Sequence, residues 1–183
     1  MAKISMLERH VTDTIKEWEM KLGTIDTEIR LYYPAASLME LLGLSKKDEE
    51  QLQEKLAEFC KVVRPRLGKI QVSGKNRICL TVSSEGCAYV KNLPEPPFLR
   101  DLLTILAEPT AGLEQVQALF NEYAQRMGGE VCEREDKQDG MGRVFYFSDA
   151  CIDPYVYCVT QDAFGLRYHR FDRNDFVHFE EEH

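Results

Sequence analysis

Apolar residues recur between Ile4 and Leu22 at spacings of three and four: Leu7, Val11, Ile15, Trp18 and Leu22. That is one face of an amphipathic helix, and Gly23 stops it. "EIRLYY" (Glu28–Tyr33) is short, rich in β-formers and ended by Pro34, so it reads as a brief strand. A short helix follows through "ASLMELLGL", with Ser37 as its cap and Gly43 as its turn. Ser45 opens the next helix, with Asp48 three residues on as a weak capping box. Leu52, Leu56, Phe59 and Val63 make its buried stripe, and Pro65 is expected to end it. "KIQVSGKNRICLTV" alternates on both sides of "SGKN" and predicts a hairpin with Gly74 near the tip. "SSEGCAYVKNL" reads as helix despite its glycine.

After "LPEPP" (Leu93–Pro97) the pattern changes. Phe98–Ala107 predicts a helix with Leu99, Leu102, Leu103 and Leu106 apolar. "LEQVQALFNEYAQRMGG" is the strongest helix of the chain, with Leu113, Val116, Phe120, Tyr123 and Met127 on one stripe. Four strand-like pieces follow: "EVCERE", "RVFYFS", "YVYCVTQ" and "GLRYHRF". Their short links predict antiparallel neighbours, a meander with the preceding helix over one face. The tail "DRNDFVHFEEEH" reads as a short helix or a frayed strand. The fold class expected is α+β, with residues 1–93 as one domain and 94–183 as a second, divided at the proline-rich join.

The first-half order of helix, strand, helix, helix and hairpin is that of a winged helix. "SLMELLGLS" (Ser37–Ser45) resembles the first helix and turn of many bacterial helix-turn-helix regulators. "NRICLTVSSEG" (Asn76–Gly86) is similar to the returning wing strand and helix start of MarR-like regulators. The resemblance implies a winged-helix domain over roughly residues 28–93, with a recognition helix from Ser45 to Val63 lying in the major groove of DNA.

Charge tests that implication. With the apolar stripe as zero and about 100° per residue, the outward face of this helix carries Lys47, Glu50, Glu54, Glu58 and Lys61. Glu50, Glu54 and Glu58 stack four apart and oppose a duplex bearing one negative charge per about 1.7 Å of axis. Asp48, Glu49 and Glu50 suit the positive end of a helix dipole, so folding alone accounts for them. Against this, no acidic residue stands between Glu58 and Glu85, where Lys61, Arg64, Arg66, Lys69, Lys75 and Arg77 fall. Arg64, Arg66, Lys69, Lys75 and Arg77 are therefore the candidate nucleic-acid contacts, Lys75 and Arg77 flanking the hairpin tip. Alternatively, Lys61, Arg64 and Arg66 offset the negative end of their helix.

Residues 1–93 hold 15 Lys/Arg and 13 Asp/Glu, a net of +2, while residues 94–183 hold 8 and 18, a net of −10. The acidic half carries its aromatics on the strands. Tyr146, Tyr155, Tyr157 and Tyr168 are the candidate lining of a pocket, with cross-strand packing as the competing account. Cys158 and His169 could meet across neighbouring strands with Asp153 close in sequence, a weak nucleophile pattern. The carboxylates of "EREDKQD" (Glu133–Asp139) fall around a presumed loop. The six cysteines form no C-x-x-C pair and have no histidine at ligand spacing, so they read as reduced thiols, not a metal site. No phosphate-loop, dinucleotide, zinc-protease or EF-hand motif occurs.

The function expected is non-catalytic binding or assembly, with no cofactor or metal. The partner expected is a protein, a second copy of the chain included. A DNA-binding regulator whose acidic half senses a ligand or dimerises is the alternative. With no apolar run of membrane-spanning length and no secretory leader at "MAKISMLERH", the expected compartment is the cytoplasm.

Overall fold

The computed structural model describes residues 2–23, 25, 27–135 and 142–173, with the side chains of residues 2, 3, 46, 47 and 49 outside the description. The fold is mixed α+β and divides into two compact units, Met1–Glu95 and Pro96–His183.

The first unit runs α1 (Ala2–Leu22), β1 (Ile29–Pro34), α2 (Ala35–Leu41), a 3-10 segment (Lys46–Gln51), α3 (Leu52–Leu67), β2 (Ile70–Ser73), β3 (Arg77–Val82) and α4 (Ser84–Lys91). Its three strands form an antiparallel sheet in the order β1-β3-β2. Ile29, Leu31 and Tyr33 alternate inward on β1, while Arg30 and Tyr32 face out. The core gathers Leu7, Val11 and Ile15 of α1, the α3 stripe, and Ile78, Leu80 and Val82 of β3.

Three details depart from the pattern reading. Trp18 and Leu22 are exposed, by 38% and 78%. The inward ridge of α1 continues instead in steps of four to Glu19, which is buried with Lys16. The Lys16 ammonium donates to the carbonyls of Lys91 (3.0 Å) and Val90 (3.4 Å), with Glu19 at 3.8 Å. A cation on the negative end of α4 holds α1 in a rotation that turns Trp18 outward. Ser37 lies inside α2, because β1 runs straight into that helix through Pro34. Pro65 lies within the last turn of α3 and does not end it. The terminator is Gly68 (φ 65°), whose N–H reaches the Arg64 carbonyl at 3.0 Å.

Gly86 explains a helix with a glycine in it. A Cβ there would lie 2.4 Å from the Leu67 carbonyl oxygen and 2.6 Å from Val82 Cγ1. The missing side chain is what lets α4 pass over the end of α3.

The second unit has α5 (Pro97–Leu106) and α6 (Leu113–Met127), then β4 (Val131–Glu135), β5 (Gly142–Phe147), β6 (Tyr155–Asp162) and β7 (Gly165–Asp172). The four strands form an antiparallel meander in the order β4-β5-β6-β7. Its core is a cluster of rings. Phe98 of α5 stands edge-on to Phe120 (4.7 Å), Tyr123 and Phe147 (both 5.1 Å) and Tyr157 (5.5 Å), and Phe120 stacks on Phe145. Edge-to-face contacts of this kind add about 0.5–1.5 kcal/mol per pair beyond area burial. On α6 the stripe takes in Leu119 and Ala124, while Met127 is exposed. From residue 174 onward the expected tail helix or strand lies outside the described residues.

Gly86→Ala tests the α3–α4 approach. Alanine favours a helix interior by about 1 kcal/mol over glycine. The Leu67 carbonyl is backbone and cannot yield, so the overlap should win, with a net loss of roughly 1–3 kcal/mol. A urea midpoint lowered at unchanged slope is the expected reading.

Candidate functional site

The outward surface of α3 follows from its core stripe. Leu52, Leu56, Phe59, Val63 and Leu67 are each 4% exposed or less. Glu54 and Glu58 therefore project into solvent, Glu50 stands exposed just ahead of them, and Lys61 and Val62 are exposed in the later turns. Lys55 reaches Glu58 at 2.8 Å. That contact raises the Lys55 pKa and lowers that of Glu58, in each case chiefly through the hydrogen bond between them.

The helix predicted to begin at Ser45 begins in fact at Leu52. Before it lies a 3-10 segment with Asp48 off the helical region (φ −103°, ψ 18°). Asp48 Oδ2 accepts from the Ser45 N–H and hydroxyl, which holds its carboxyl below the usual range. The Ser45–Asp48 contact thus forms, but it closes a turn and does not cap α3. The side chains of Lys47 and Glu49 lie outside the description.

The candidate basic residues separate into three places. Arg66 is committed to Glu8 of α1 by two hydrogen bonds, the Nη2 one at 2.8 Å. Arg64 and Lys69 line a concavity of about 470 Å³ together with Cys60, Lys61 and Ile70. Lys75 is exposed at the hairpin turn, and Arg77 sits 5.4 Å from the centre of the Tyr32 ring on the outer sheet face. That face holds a smaller hollow of about 360 Å³ lined by Arg30, Tyr32, Ser73 and Thr81 among others. Arg30 and Tyr32 were not singled out in the sequence, although their alternation with Ile29, Leu31 and Tyr33 is the signal that places them outside.

In the second unit the four candidate tyrosines do not share a surface. Phe145 is opposite Tyr157, so Tyr146 points to the other face of the sheet. Tyr168, opposite Val159, shares the Tyr157 face, as does Tyr155. That face is filled: Tyr157 is fully buried against Phe98 and Phe120, and Tyr155 is 4% exposed. The register, not visible in the strand pattern, puts Tyr155 and Tyr157 in the core, leaves Tyr168 half-buried on that face, and sets the half-buried Tyr146 against Val144, Val156 and Cys158 on the other.

Cys158 and His169, which the sequence allowed to meet, are direct cross-strand partners. Asp153 does not join them. Its carboxylate accepts from the Tyr155 N–H (2.9 Å) and the Tyr157 hydroxyl (3.1 Å), on the helix-facing side. Glu133 lies on β4, within the strand expected over "EVCERE", and receives Arg143 (3.2 Å) and Gln117. Residues 136–139 of "EREDKQD" lie outside the description. A cleft of about 660 Å³ opens there, lined among others by Gln115, Gln117, Glu133, Arg143 and Gln161. Its polar groups largely engage one another, the Gly112 N–H included, which donates to Gln115 Oε1 at 2.8 Å. Among the described residues no group of three or more His, Cys, Asp or Glu could hold a metal ion, and no helix is long and apolar enough to cross a membrane.

The geometry defines an α+β protein with a charged helix surface on one unit and a ring-filled sheet in the other. The chain belongs to the family described as "Domain of unknown function, E. rectale Gene description (DUF3877)", whose model matches residues 4–179. No curated protein and no solved structure matches it.

Burial raises the Tyr157 pKa well above its ordinary value, with the Asp153 charge adding to the effect. Below the ordinary value both folded and unfolded chains keep this phenol neutral. As pH rises past it, the unfolded chain ionises first and stability falls. Tyr157→Phe should cost about 1 kcal/mol at neutral pH for the lost hydrogen bond. It should also lose less stability than wild type between about pH 8 and about pH 10.5, on either side of the usual tyrosine value. Urea unfolding at the two pH values reads both effects.

Proposed function

We propose that the chain is a non-catalytic binding and assembly protein of the bacterial cytoplasm. Its first unit, on this reading, is a winged-helix-like scaffold used for protein contacts. The scaffold reading is supported by the order α1-β1-α2-α3-β2-β3 together with the sheet order β1-β3-β2. Its use is argued from one observation: the helix that would enter a DNA groove presents Glu54 and Glu58 to solvent, with Glu50 exposed in the 3-10 segment just before it. These exposed carboxylates repel a polyanion and attract a basic protein surface, and contacts of this kind set partner choice and association rate. Fold alone does not select between these uses.

Two measurements test the reading. Mixed-sequence duplex at about 50 mM salt, where phosphate contacts are strongest, should not bind tightly to the wild-type chain. Submicromolar binding that weakens steeply with salt and vanishes in Lys75→Glu/Arg77→Glu would instead establish the DNA-binding regulator. A basic protein recovered with the wild-type chain from its own cells, and lost with Glu50→Gln/Glu54→Gln/Glu58→Gln, is the outcome expected. Retention of the same partner by the triple variant would count against the ridge.

A further inference from the structure

We propose that the concavity where α3 passes into β2 is a binding site for a phosphate monoester carried on a small apolar or aromatic body. The site stands apart from the protein-contact reading, which concerns the glutamate ridge.

Lys61 and Arg64 are three residues apart on α3 and so share a face. At Gly68 the backbone takes a positive φ of 65° that turns the chain out of the helix. A Cβ there would meet Ser83 Oγ at 2.6 Å, so the turn is tight as well as left-handed. It brings Lys69 onto the same wall as Lys61 and Arg64. Three cations therefore line one hollow in a chain of net charge −8.

Glu85 stands at the same turn, its Oε2 3.3 Å from where a Gly68 Cβ would lie, but it does not ion-pair with any of the three. Among the described residues no carboxylate ion-pairs with Lys61, Arg64 or Lys69: Glu58 is held by Lys55, and Glu8 by Arg66. The C-terminal end of α3 contributes a partial charge of about −0.5, a small fraction of three full positive charges. One of its carbonyls, that of Arg64, is already taken by Gly68. A phosphate monoester brings two negative charges, matches the planar guanidinium fork of Arg64, and accepts from the ammonium groups.

Size and lining define the rest of the ligand. About 470 Å³ is more than a bare phosphate fills and lies in the range of small-molecule sites. Ile70 is a buried apolar side chain, and Cys60 is half-buried. Burial pushes the Cys60 thiol pKa up, so it stays neutral and does not compete as an anion. Glu54 and Glu58 stand earlier on the same helix, and their charge opposes an extended polyanion more than a compact dianion confined to the hollow.

The test is calorimetric titration of the full chain with phenyl phosphate, inorganic phosphate and phenol. Phenyl phosphate should saturate one site with a Kd below about 1 mM. Inorganic phosphate should bind several-fold more weakly, and phenol should give no saturation. Arg64→Ala/Lys69→Ala should lower the phenyl phosphate affinity at least tenfold at an unchanged melting temperature, while Lys75→Ala should leave it intact. In the wild-type chain, phenyl phosphate should slow alkylation of Cys60, mapped by peptide mass, and leave that of Cys151 alone. The proposal is overturned by absence of saturation, by equal binding to the double variant, or by a short duplex that displaces phenyl phosphate at lower concentration.

Discussion

The rotation of α3 about its own axis decides what the first unit offers to solvent. Five side chains from Leu52 to Leu67 fix it, all 4% exposed or less. A turn of one residue, about 100°, would carry apolar groups into water and drive glutamates toward the core. Burying one unpaired carboxylate costs several kcal/mol, more than any surface contact returns. The ridge of Glu54 and Glu58, and the projection of Lys61 and Arg64, are thus consequences of core packing. Whatever binds this helix meets a surface that is acidic in its first turns and basic in its last.

Where burial has a period, the sequence is legible. The α3 stripe and the inward–outward alternation of β1 follow from spacing alone, and so does the α+β class. What spacing does not carry is the distant partner. Glu19 displaces Trp18 from the inward ridge because Lys16 binds the end of α4, some 75 residues away. Gly86 is required by the carbonyl of Leu67, and Arg66 leaves the basic group because Glu8 stands 58 residues upstream. Those are properties of tertiary contact, and no local pattern encodes them.

The candidate sites divide along the same line. A run free of acids from residue 59 to 84 gathers cations along the chain. It does not say that Arg64 and Lys69 share a wall with Lys61 while Arg77 lies against Tyr32. The tyrosines show the converse. Their enrichment on strands suggested a lining, but inward or outward depends on which residue opposes which, and Phe145 opposite Tyr157 settles it.

Net charge, too, changes meaning once the paired groups are removed from it. In the acidic half Asp153 accepts from Tyr157, and Asp101 accepts from Tyr123, a bond that is the main cause of its lowered pKa. Glu133 holds Arg143. A core built on tyrosine needs an acceptor for each hydroxyl it buries, and carboxylates supply them. Part of the excess acidity of residues 94–183 is therefore a requirement of ring packing and says nothing of partners. In the basic half the same subtraction removes Lys16 and Arg66, which tie helices together. Among the described residues Lys61, Arg64 and Lys69 at the α3–β2 hollow, and Lys75 at the hairpin turn, form no ion pair. Charge that folding does not use is the charge most available for recognition.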